Sequence, residues 1–175
     1  TVSNGSTAID RITDGQDNTY TALGRHDRSF LGHVTLTSQY NFPSNTWEVL
    51  PYNTIEHNRI SGASFDSSAY QLTLPAGTYF FDCYHKSHNS NDANLRLYDP
   101  DSNSEVFQGM MAYGGSNPPL WLTTELTFTE ERTLELQMKV NSSTSWGAGV
   151  LRDSDISTTN DPYGNAFYVE QIDTA

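Results

Sequence analysis

Three groups of side chains in this chain have types and spacings that chemistry requires. His85 and His88 flank Lys86-Ser87, a separation that brings two imidazoles toward one metal ion, but no third and fourth ligand stands near them. Residues 99–105, Asp-Pro-Asp-Ser-Asn-Ser-Glu, place oxygens at alternate positions as the start of a calcium loop does. Ser104 stands where such a loop needs glycine and Met110 where it needs a bidentate glutamate, so a hairpin turn is expected instead. Asp153, Asp155 and Asp161 form an acidic stretch that is expected to be a solvated loop rather than a cation site. No metal and no cofactor is expected.

Catalysis is not indicated, and the chain is not expected to be an enzyme. There is no Gly-x-Ser-x-Gly elbow, and Cys83 stands among Phe81 and Tyr84 with no activating neighbour. Glu130-Glu131 are adjacent in a short turn, where two solvated carboxylates point apart and do not divide into acid and base. A small glycan hydrolase would need a better separated pair. Recognition chemistry is better represented. Tyr113 and Trp146 fall in polar loops and offer rigid aromatic faces, while Asn117 offers a donor and an acceptor, the combination that glycan hydroxyls require. These three are the expected ligand contacts, with Trp146 as a plug at the end of the fold the competing role. Trp121, inside an apolar run, is expected in the core.

The elements that would position these residues are strands. Aromatics make up 12% of the 175 residues, with Tyr 10 and Phe 8, a composition suited to half-buried strands. The length fits one domain. The formal net charge of -12 opposes binding to nucleic acid or to an anionic membrane. No window approaches the ~20 apolar residues that span a bilayer, so membrane insertion is not expected. The single Cys83 cannot form an intrachain disulfide.

The chain is organised around Leu72-Thr73-Leu74-Pro75-Ala76-Gly77-Thr78-Tyr79-Phe80-Phe81-Asp82-Cys83-Tyr84, read as two strands joined by a turn at Pro75 and Gly77. In the second strand Phe80 and Tyr84 occupy one face and Tyr79, Phe81 and Cys83 the other, so burial on both sides is expected. A second subunit would supply the second cover, and Phe80 and Tyr84 are therefore the expected interface of an oligomer. Residues 1–28 read as a polar arm or linker, and 29–175 as the domain. Strands are expected at 30–40, 47–50, 95–98 and 166–172, with a polar loop at 52–58. Residues 121–128 and 134–140 read as a hairpin whose second limb turns Leu134, Leu136, Met138 and Val140 one way. With no stretch of ~11 residues that keeps a period of ~3.6, the expected fold is an all-β jelly-roll sandwich of about eight to ten antiparallel strands.

The order Leu74-Pro75-Ala76-Gly77-Thr78-Tyr79, Leu95-Arg96-Leu97-Tyr98-Asp99, Gln108-Gly109, Leu126-Thr127-Phe128, Leu134-Glu135-Leu136-Gln137 and Phe167-Tyr168-Val169-Glu170-Gln171-Ile172 resembles a recurrent domain in the tail fibres and virion proteins of tailed phages. Those domains are similar to the tumour-necrosis-factor and complement-globular-head jelly rolls. The resemblance spans residues 58–173 and implies a homotrimer at the virion surface, on a tail or capsid fibre, that contacts other virion proteins and attaches to a host-surface glycan or protein. A capsid decoration or structural fibre protein that stabilises the particle without binding a receptor is the alternative it leaves open.

Overall fold

The computed structural model describes residues 11–13, 19–21, 27–32, 42–52, 54–86, 92–113, 119–141 and 165–174. Its strands in chain order are β1 (Arg11–Thr13), β2 (Thr19–Thr21), β3 (Asp27–Gly32), β4 (Trp47–Val49), β5 (Thr54–Asn58), β6 (Ser64–Asp66) and β7 (Gln71–Leu74), followed by β8 (Gly77–Lys86), β9 (Asp92–Asp99), β10 (Ser104–Gln108), β11 (Ala112–Tyr113), β12 (Pro119–Phe128), β13 (Arg132–Val140) and β14 (Asn165–Thr174). β1 and β2 pair with each other. The rest form two antiparallel sheets. One is five-stranded in the order β12-β8-β14-β3-β5; the other runs β10-β9-β13-β7-β6, with β11 on β9 and β4 on β13. The all-β sandwich expected from composition is what forms.

The core lies between the sheets and follows the period of two. Tyr79, Phe81 and Cys83 of β8, Leu120 and Leu122 of β12, and Phe167 and Val169 of β14 meet Leu72 and Leu74 of β7, Leu95 and Leu97 of β9, and Leu134, Leu136, Met138 and Val140 of β13. Aromatic rings fill the centre: Phe81 stacks on Phe167 at 6.4 Å, and Tyr79 lies 6.0 Å from Phe128.

The turn at Pro75 and the turn of the expected 121–140 hairpin both carry the chain from one sheet to the other. Gly77 pairs with Phe128 and Thr174, whereas Leu74 pairs with Arg132, so the bend at Pro75 joins different sheets. The turn at 129–131 does the same between β12 and β13. Alternation alone cannot separate these cases, because two strands facing one core from opposite sides show the same pattern as two neighbours in one sheet. The phenol of Tyr79 donates to the Pro75 carbonyl at 2.8 Å and fixes the first crossing. A true hairpin forms where the calcium-like spacing stood: Asp99 Oδ1 accepts from the Asp101 and Ser102 amides at 2.9 and 3.0 Å, and Asn103 takes the left-handed φ of 51°.

Three strands differ from expectation, and so does the placement of one tryptophan. The first strand of the sandwich is Asp27–Gly32, earlier than 30–40, and residues 33–41 lie outside the described set. Residues 54–58, read as loop, form β5; a polar edge strand with one neighbour, β3, lacks the apolar run that marks an inner strand. β9 begins at Asp92, ahead of the expected 95–98, because the Asp92 carbonyl accepts from the Asn141 amide at 2.9 Å and the ladder continues to Ala93–Val140. Trp121 is not core. Leu120 and Leu122 point inward, so Trp121 faces out and keeps 46% of its surface exposed.

Candidate functional site

The outward face of the five-stranded sheet carries an aromatic surface. Phe80 and Tyr84 are half-buried there, four residues apart on β8, with exposed Asp82 between them. Trp121 is the register partner of Tyr84, and the two rings lie 5.4 Å apart. Tyr168 and Glu170 of β14 continue the face as register partners of Asp82 and Phe80, and Glu125 of β12 flanks Phe80 on its other side. Thr123 donates to Asp82 at 3.2 Å, and the Thr78 and Thr127 hydroxyls bond at 3.0 Å. The split of β8 into an inner Tyr79, Phe81, Cys83 face and an outer Phe80, Tyr84 face follows the expected pattern. Within one chain, however, the outer face is only half covered.

The edge near this face is closed by backbone. The Gly109 amide donates to the Leu95 carbonyl at 2.8 Å, and the Met110 amide donates to the Trp121 carbonyl at 3.2 Å, so one short segment ties β9 to β12 across the two sheets. A Cβ at residue 109 would stand 2.6 Å from that Trp121 oxygen, which explains the glycine. Met110 and Met111 are exposed beside it. Tyr113, an expected ligand contact, follows on β11 and is 71% exposed. Asn117 and Trp146 lie outside the described residues.

The outward face of the second sheet holds a polar network. Gln71 donates to Glu135 Oε1 at 2.8 Å, and Gln137 donates to Glu135 Oε2 at 2.6 Å. Gln137 Oε1 in turn accepts from Arg96 Nε and Nη2 at 2.9 and 2.7 Å. The Arg96 guanidinium lies 4.4 Å from the Trp47 ring centroid and 4.5 Å from that of Tyr98. Glu135 and Gln137 are therefore buried although they face away from the core. Sequence reasoning assigned Trp47, Arg96 and Gln137 no role. Their alternation was visible, but which strands would lie side by side was not.

The chemistry expected to be absent has these surroundings. Burial, and then the charge of Asp82, push the Cys83 thiol well above its usual value. His85 is buried with its ring 6.5 Å from Tyr52, while His88 lies outside the described residues. Glu130 is exposed and pairs with Arg132 at 2.8 Å. Asp153, Asp155 and Asp161 lie outside the described residues, and among the described ones no three His, Cys, Asp or Glu side chains gather as metal ligands.

No protein-family model and no curated protein matches the chain. Solved structures do. Murine APRIL superposes with a TM-score of 0.58 at 7% identity, covering 84% of this chain and 99% of the other. The Eiger TNF of S. frugiperda gives 0.58 at 9%, covering 86% and 96%. The globular domain of zebrafish complement 1qA gives 0.51 at 9%, covering 83% and 94%. The fold is the tumour-necrosis-factor and complement-head jelly roll. At such identities the likeness concerns the fold alone, and it agrees with the jelly roll expected from the sequence. In this jelly roll the aromatic face belongs to the β12-β8-β14-β3-β5 sheet and the polar network to the other.

Proposed function

We propose that this chain is the trimer-forming knob of a virion fibre, on tail or capsid, and that it attaches the particle to a host-surface ligand. The observation that carries the proposal is the Phe80, Tyr84 and Trp121 surface on the outward side of the five-stranded sheet. Exposed aromatic area of this kind marks an association site, and a second and third copy of the chain would cover it. The homotrimer implied by the sequence resemblance needs such a face, and the jelly-roll fold is compatible with it. The order of segments shared with phage fibre domains supports the virion setting. The charge of -12 is compatible with an exposed particle surface and turns nucleic acid away.

No reaction belongs to this proposal. Tyr113 remains the described candidate for ligand contact, since an exposed tyrosine on an edge strand is free of packing duties. Multi-angle light scattering of the purified chain tests the assembly, with three chain masses expected. A monodisperse monomer at micromolar concentration would overturn it. Binding of the trimer to host cells tests the attachment role, and a trimer that binds no cell would instead favour particle stabilisation.

A further inference from the structure

We propose that the outward face of the second sheet carries a site for the hydroxyls of a neutral saccharide, built from Trp47, Asn94 and Lys139. Lys139 of β13 is the register partner of both Asn94 on β9 and Trp47 on β4, so the three side chains stand in one row on one face. Asn94 is only 6% exposed, and among the described residues its Oδ1 has no hydrogen-bond partner. Lys139 is half-buried and makes no ion pair among the described residues; its ammonium lies 5.2 Å from the Trp47 ring centroid.

Among the described residues the ammonium is a donor without an acceptor, and the carboxamide oxygen is an acceptor without a donor. A hydroxyl group is both. One alcohol can accept from Lys139 and donate to Asn94 as the flexible lysine swings aside, and a neighbouring ring C–H surface can lie against Trp47. The indole is already placed, because Arg96 is fixed by Gln137 and rests 4.4 Å from its centroid. A carboxylate could accept from Lys139 but has no proton to donate to the Asn94 oxygen, so the pair favours a hydroxyl over an acid group. This face lies on the sheet opposite the proposed assembly face, so three copies would display it outward and multiply a weak single-site affinity. Its biological role rests on the attachment reading; its geometry does not.

The test is an indole N–H chemical-shift titration of the full chain with methyl mannoside, methyl galactoside, methyl N-acetylglucosaminide and methyl glucuronide, repeated on Lys139→Ala and Asn94→Ala. A neutral glycoside should shift the Trp47 signal more strongly than the glucuronide, and each substitution should weaken that binding about tenfold or more. Asn94→Ala removes an unpaired buried group, so that variant should fold at least as well as the parent. Absence of a Trp47 shift with every neutral glycoside overturns the proposal, as does unchanged affinity in both variants. Cell attachment that survives both substitutions but is lost in Tyr113→Ala also overturns this site while leaving the attachment reading intact. A monomeric chain whose saccharide binding still depends on Lys139 gives the reverse result.

Discussion

Arg132 Nη1 donates to Asp99 Oδ2 at 3.0 Å, and this contact joins the β9–β10 turn to the start of β13 just after the chain has crossed between sheets. Asp99 is 2% exposed and also accepts the Asp101 and Ser102 amides. Burial raises its carboxyl pKa, but the hydrogen bonds from Ser102, Asp101 and Arg132 outweigh this and hold it below the ordinary value.

A depressed folded pKa contributes stability that is present above the unfolded value near ~3.9 and is lost as pH falls through the folded one. Asp99→Asn should therefore lower stability at pH 7 by about 1–3 kcal/mol, with part of the cost coming from Arg132, which keeps only its exposed pair with Glu130. Urea unfolding of parent and variant at pH 7 and below pH 3 checks this. The gap should narrow at the lower pH, and a constant gap would mean that the carboxylate charge contributes nothing.

Phe80→Asp should abolish assembly while leaving the fold intact, because Phe80 faces away from the core and a trimer would otherwise bury three carboxylates among Glu125 and Glu170. Sedimentation velocity reads the change from three chain masses to one. An unchanged mass would place the interface on another face.

Gly109→Ala should cost about 1–3 kcal/mol, since the new methyl would meet the Trp121 carbonyl at 2.6 Å and the backbone there must shift. Amide exchange locates the damage. Met110 should lose protection first, because its donation to Trp121 ties the two sheets at that point.

Phe81→Ala should destabilise by about 3–5 kcal/mol through loss of a fully buried ring that contacts both Phe128 and Phe167. Thermal unfolding checks it. Tyr113→Ala, at an exposed position, should stay within about 0.5 kcal/mol of the parent and yet reduce binding to host cells. Full cell binding by that folded variant would remove Tyr113 from the contact surface.

The period-two alternation was enough to read β8 and β13, their inward residues and the sandwich class. Tyr79, Phe81 and Cys83 on one side of β8, and Leu134, Leu136, Met138 and Val140 on one side of β13, follow from spacing alone because successive strand side chains must point to opposite faces. The same spacing says nothing about which strands become neighbours. Whether Pro75 and the turn at 129–131 close hairpins or cross between sheets was decided by long-range pairing, of Gly77 with Phe128 and Thr174 and of Leu74 with Arg132. Trp121 was misplaced for a related reason: its hydrophobicity argued for the core, but the register of Leu120 and Leu122 required it to face out. The row of Trp47, Lys139 and Asn94 joins residues far apart in the chain, and only tertiary pairing brings them onto one face.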